Sequence, residues 1–142
     1  MKPPIIVVDT NVIVSALITN QPQSPTCLML DGMLAGRFTF LLSTELLSGY
    51  RRVLLRPKIQ KLHGLNEDEV DAILIEIVVN GVMRETLKVS RRAPGKGDDH
   101  LWALVSIQAG TILVTGDKRL TENPPDSTTV LSPRGFIELL ET

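Results

Sequence analysis

A single cysteine, Cys27, leaves no partner for a disulfide within the chain, so the fold must stand on its core alone. That usage fits a reducing compartment, and a cytoplasmic location is expected. Long apolar runs are missing too. The first, Ile5-Ile6-Val7-Val8, is broken by Asp9 and Asn11, and reads as neither a signal peptide nor a membrane span. There is no glycine-rich phosphate loop and no Gly-x-Ser-x-Gly elbow. A haloacid-dehalogenase phosphatase would need a second aspartate two residues after Asp9, where Asn11 stands. His63 and His100 are isolated; His100 beside Asp99 has the makings of a general base, but a helix-surface histidine is the favoured reading. Net charge is nearly absent as well, at −1, so nothing global points to nucleic acid. The charge is uneven, however. Arg51, Arg52, Arg56, Lys58 and Lys61 form one basic run, and Arg91, Arg92 and Lys96 another. Taken alone, each is a solvated face.

At 142 residues and 43% hydrophobic, the chain suits one domain with one core. Residues 5–8 read as a buried strand that delivers Asp9-Thr10-Asn11-Val12. Far downstream, Ile112-Leu113-Val114-Thr115 delivers Gly116 and Asp117 in the same way. Apolar strands of this kind are central strands of parallel sheets, whose sites lie at the carboxyl ends of strands. If the two strands are neighbours, two negative charges converge with no cation in the sequence beside them. A divalent metal ion is the usual resolution.

Helices are expected between the strands. Ser24-Pro25 starts one that runs to about Ala35, with serine as cap and proline at the first helical position. A second strand spans Phe38 to Leu42, and Ser43 caps a helix carrying Leu46, Leu47, Tyr50, Val53 and Leu54. Asn66 and Glu69 are spaced as a capping box, ahead of an apolar stripe of Val70, Ile73, Leu74, Ile77 and Val78. Met83 to Val89 reads as a third strand, and Asp98 or Asp99 caps an apolar helix through Ala109. Val130-Leu131 is a short fifth strand. Ser132-Pro133 leads to a last helix, Phe136 to Leu140. Strands alternating with helices predict an α/β fold: a small doubly wound parallel sheet of about five strands with helices on both faces.

Four places supply carboxylates to one edge of that sheet: Asp9, Asp117, the Asp98-Asp99 pair and Glu45. Oxygen ligands of this kind suit Mg²⁺ or Mn²⁺. Thr10, Asn11 and Thr115 are placed to hold a ligating carboxylate or a water. Each acid also has a plain reading as a turn or helix cap. The combination, rather than any one of them, points to a site.

With these motifs in order, the chain resembles PIN-domain ribonucleases, many of which are toxins of bacterial toxin–antitoxin pairs. The matching stretches are Val8-Asp9-Thr10-Asn11-Val12, Leu42-Ser43 through Arg56-Pro57-Lys58, Asp98 through Leu104, and Leu113 through Lys118. The resemblance implies hydrolysis of RNA by a metal-activated water, with Mg²⁺ or Mn²⁺ held by Asp9, Asp117 and either Asp98 or Asp99. It implies an antitoxin protein as partner and, commonly, a homodimer. Arg51, Arg52, Arg91, Arg92 and Lys118 are candidates for RNA phosphates. The chain departs from the family at its second acid, which falls on Gly49 when counted from Ser43. Glu45, four residues earlier on the same helical face, is a candidate replacement. A PIN fold that binds RNA or a protein partner without efficient cleavage is the alternative reading.

Overall fold

The computed structural model of the protein describes residues 4–85, 99–125 and 128–142; the side chain of Asp99 is outside that set. Strand β1 (Ile5–Val8) is followed by helices α1 (Thr10–Ile18) and α2 (Pro25–Leu34), then strand β2 (Thr39–Leu42). Helices α3 (Thr44–Leu54), α4 (Pro57–His63) and α5 (Glu67–Asn80) lead to β3 (Val82–Met83). Helix α6 (Asp99–Val105), β4 (Ile112–Val114), α7 (Lys118–Glu122), β5 (Thr129–Leu131) and α8 (Pro133–Glu141) complete the described chain.

All five strands are parallel, in the order β3-β2-β1-β4-β5. Ile6, Val7 and Val8 are buried in succession, as are Phe40, Leu41 and Leu42. Successive strand residues point to opposite faces, so both faces of the sheet are covered. This is the doubly wound α/β fold that the strand–helix alternation predicts. The chain winds one way from β1 through β2 to β3 and the other way to β4 and β5. The reversal lies between β1 and β4, and open α/β sheets form their crevice at that point.

The three serine caps and the capping box are as the sequence predicts; the cap expected at Asp98 or Asp99 lies outside the described residues. Ser24, Ser43 and Ser132 each accept a hydrogen bond from the backbone N–H three residues on. Asn66 and Glu69 make the reciprocal capping box. The structure differs from expectation at four places. Helix α1 follows Asp9 directly, capped by the Asp9 carboxylate, which accepts from the Thr10 N–H. Its sequence, Thr-Asn-Val-Ile-Val-Ser-Ala-Leu-Ile, has no polar face to reveal a helical period. Helix α4 begins at Pro57, where proline suits the first helical position. Helix α7 follows Asp117, where a plain turn was the alternative reading. Finally, α6 ends at Val105 rather than near Ala109. There the Ile107 N–H bonds back three residues to Leu104, tightening the chain out of the α-helix. The third strand, expected over Met83 to Val89, is the shorter Val82–Met83; Arg84 and Glu85 lie beyond its end, and residues 86–89 lie outside the described set.

Candidate functional site

Asp9 and Asp117 stand one residue and three residues past the ends of β1 and β4, which pair in register from Ile6–Ile112 to Val8–Val114. Both carboxylates line a single open cleft of about 560 Å³, together with Thr10, Asn11, Val14, Ser15, Ile18 and Val53. The cleft sits at the topological reversal of the sheet. The convergence expected from the two strand-end motifs is therefore present.

A hydrogen-bonded knot ties the two ends together. The Thr115 hydroxyl, fully buried, donates to Asp9 Oδ2 at 2.8 Å and accepts from the Asp117 N–H at 3.1 Å. Asn11 Nδ2 lies 3.4 Å from Asp9 Oδ2 and 3.3 Å from Thr115 Oγ1, while Asn11 Oδ1 accepts from the Gly116 N–H at 3.0 Å. Asp9 Oδ1 accepts from the Thr10 N–H at 2.8 Å. The Thr10 amide, Asn11 and Thr115 thus fix the orientation of the Asp9 carboxylate.

Tyr50 reinforces the same corner from α3. Its hydroxyl, buried completely, donates to the Val8 carbonyl at the end of β1. Burial, followed by the charge of Asp9, raises the tyrosine pKa far above its ordinary value, so the phenol stays protonated. It serves as a structural donor. The sequence marked Tyr50 only as a core residue, because nothing local says where its hydroxyl goes.

Asp117 has a neighbour the sequence reading missed. It caps α7, accepting from the Arg119 N–H at 2.9 Å, and the Arg119 guanidinium folds back onto it. Nη2 lies 3.0 Å from Oδ2 and Nε 3.3 Å from Oδ1. The expectation of converging charges without a cation beside them is corrected here. Two residues after Asp117, helical geometry turns a side chain back over its own N-cap. Hydrogen bonding to the Arg119 side chain holds the Asp117 carboxyl below its usual range. Arg119 is largely exposed, so solvent screens the pair and it is readily displaced.

Gly49 sits on the buried side of α3, facing α1. A Cβ placed there would stand 3.7 Å from Thr10 Oγ1 and 4.0 Å from Arg52 Nη2, both ordinary contacts. A side chain at residue 49 would thus emerge beside Thr10 at the rim of the cleft. Glu45 does not reach the cleft. It is exposed and lines a separate depression with Ser43, Thr44, Arg84 and Glu85. Arg51 also points elsewhere: its guanidinium is gripped by Asp71 at 2.8 Å and by Glu67, both on α5. Lys118 is exposed at the start of α7. Asp98, Arg91 and Arg92 lie outside the described residues. Of Asp99, only its place at the start of α6, a helix that packs against β1, is described.

Among the described residues no group of three or more histidine, cysteine, aspartate or glutamate side chains is gathered to hold an ion. What the cleft offers is two carboxylates with hydroxyl and amide oxygens around them. That donor set, without sulfur or imidazole, fits a hard divalent cation and not zinc. Also among the described residues, no helix is long and apolar enough to cross a membrane. No curated protein matches the chain. A family model described as PIN domain matches residues 5–119, a span that runs from the start of β1 past Asp117. The chain therefore belongs to the PIN-domain family, whose members are in general metal-dependent nucleases that bind RNA.

Proposed function

We propose that the protein is a metal-dependent endoribonuclease, and that it is the toxin of a toxin–antitoxin pair acting in the cytoplasm. The observation that carries this reading is the pair of carboxylates, Asp9 and Asp117, at the ends of adjacent parallel strands in one cleft. Asp9 and Asp117 would hold a Mg²⁺ or Mn²⁺ ion, with Asp98 or Asp99 as the third ligand. Such an ion, when bound, would supply positive charge to the phosphodiester oxygens and make water a stronger nucleophile. Thr115 and Asn11 keep the Asp9 carboxylate turned toward the cleft. Tyr50 locks the strand end that carries it, and Lys118 contributes positive charge for the RNA strand. An antitoxin protein would neutralise the activity, and a homodimer is the proposed assembly.

The test is cleavage of RNA in Mn²⁺. The unsubstituted protein should cleave and Asp9→Asn should not; equal cleavage by both removes Asp9 from the mechanism. Two observations favour a second reading, in which the domain binds RNA or a protein partner without efficient cleavage. Gly49 supplies no carboxylate beside Thr10, and Arg119 already satisfies Asp117. Strong cleavage that appears only in Gly49→Glu decides for this second reading.

A further inference from the structure

Arg51 and Arg52 are adjacent in the same basic run, yet their side chains are in opposite situations. Arg51 spends its guanidinium on Asp71 and Glu67 of α5. Arg52 makes no hydrogen bond or ion pair among the described residues, and it is exposed. Its Nη2 lies 4.0 Å from the point where a Cβ of residue 49 would stand, and Thr10 Oγ1 lies 3.7 Å from that same point. Thr10 lines the cleft with Asp9, and so does Val53, the neighbour of Arg52.

We propose that Arg52 is a phosphate-binding cation of the Asp9 cleft, with its guanidinium over Gly49 where a carboxylate would otherwise emerge. The inference rests on the RNA-directed function proposed above and assigns one of its contacts. Residues 49 and 52 are three apart on α3 and so share a helical face. A carboxylate at residue 49 would sit within reach of this guanidinium and pair with it. Glycine removes that competitor, leaving Arg52 with its donors unspent at the rim. A planar guanidinium matches two phosphate oxygens at once, which a lysine ammonium does not. The glycine thus has a second consequence besides a lost acid: it changes the sign of the charge presented beside Thr10. An RNA strand entering the cleft would place a backbone phosphate against Arg52.

Binding of a fluorescein-labelled single-stranded RNA oligonucleotide, followed by anisotropy in EDTA across a salt series, tests this without any metal. Arg52→Gln should weaken binding roughly fivefold at 0.1 M salt and lower the log–log salt slope by about 0.7, the loss of one single-strand phosphate contact. Gly49→Glu should weaken it similarly by engaging Arg52, whereas Arg52→Lys should keep the slope and lose affinity only modestly. Arg37→Gln removes the same charge from the exposed turn before β2, at the opposite edge of the sheet, and should change neither quantity. Unaltered affinity and slope in Arg52→Gln, or an equal loss in Arg37→Gln, overturns the assignment while leaving the RNA function standing. Failure of the unsubstituted protein to bind the oligonucleotide at low salt overturns both.

Discussion

The two aspartates of the cleft are built alike and held differently. Each follows a short buried strand and each caps the helix after it. Asp9 is oriented by the Thr10 amide and by the hydroxyl of Thr115, which is itself fully buried. Asp117 is gripped by the guanidinium of Arg119, a side chain that stands mostly in solvent. Donors anchored in the core cannot move away without exposing unsatisfied polar groups. An exposed arginine can leave at little cost, because water screens its pair and restores its side-chain entropy. Asp9 is therefore the rigid post of the site and Asp117 the displaceable one. For the cation proposed above, the first would offer a preset geometry, and the second would offer charge once Arg119 had swung aside.

The sharpest way to break this comparison is to remove the donor that makes Asp9 rigid. Thr115→Val should lower metal affinity by about 10- to 100-fold, the range for groups that orient a ligand, measured by Mn²⁺ titration. Next is the strand end itself. Tyr50→Phe leaves the Val8 carbonyl without its donor and should destabilise the fold by about 1–3 kcal/mol in chemical denaturation. Gly49→Ala should act in the opposite direction. The added methyl meets only ordinary contacts and spares the backbone entropy of a helical glycine, so stability should rise by about 0.5–1 kcal/mol. A loss there would mean that residue 49 cannot carry a side chain toward Thr10.

The smallest effect is expected at the displaceable post. Arg119→Ala should return the Asp117 carboxyl toward its ordinary pKa, seen in a carbon-detected NMR titration. A depressed folded-state pKa contributes stability that is present above the unfolded value and lost as pH falls through the folded one. The Arg119 pair therefore helps at neutral pH and fades in acid, and the variant should lose the side chain's share of that acid dependence while the backbone donors of Arg119 and Leu120 keep theirs. Mn²⁺ affinity should rise slightly, because the ion no longer competes with a guanidinium.

Much of this arrangement was legible in the sequence where the signals are short-range. Ser24-Pro25, Ser132-Pro133 and the Asn66–Glu69 box are each complete within a few residues, and the caps form where they predict. The two strand-end aspartates were legible because parallel strands bring their carboxyl ends to one edge. Helix α1 was hidden because its cap is the same Asp9 that reads as a site residue, and its body shows no polar stripe. Arg119 was missed because only the helical turn at Lys118 brings it back onto Asp117. Glu45 shares a helical face with Gly49, but one turn along α3 is enough to move it into the depression beside Arg84. The different fates of Arg51 and Arg52 depend on α5, whose acids Asp71 and Glu67 approach from a distant part of the chain.

The central claim is that Asp9 is the fixed post of a divalent-metal site. Its most direct test is Mn²⁺ binding, followed by electron paramagnetic resonance, in the unsubstituted protein, Asp9→Asn and Asp117→Asn. The account predicts binding by the unsubstituted protein, none in Asp9→Asn and weakened binding in Asp117→Asn. Equal Mn²⁺ binding by Asp9→Asn and the unsubstituted protein would contradict it.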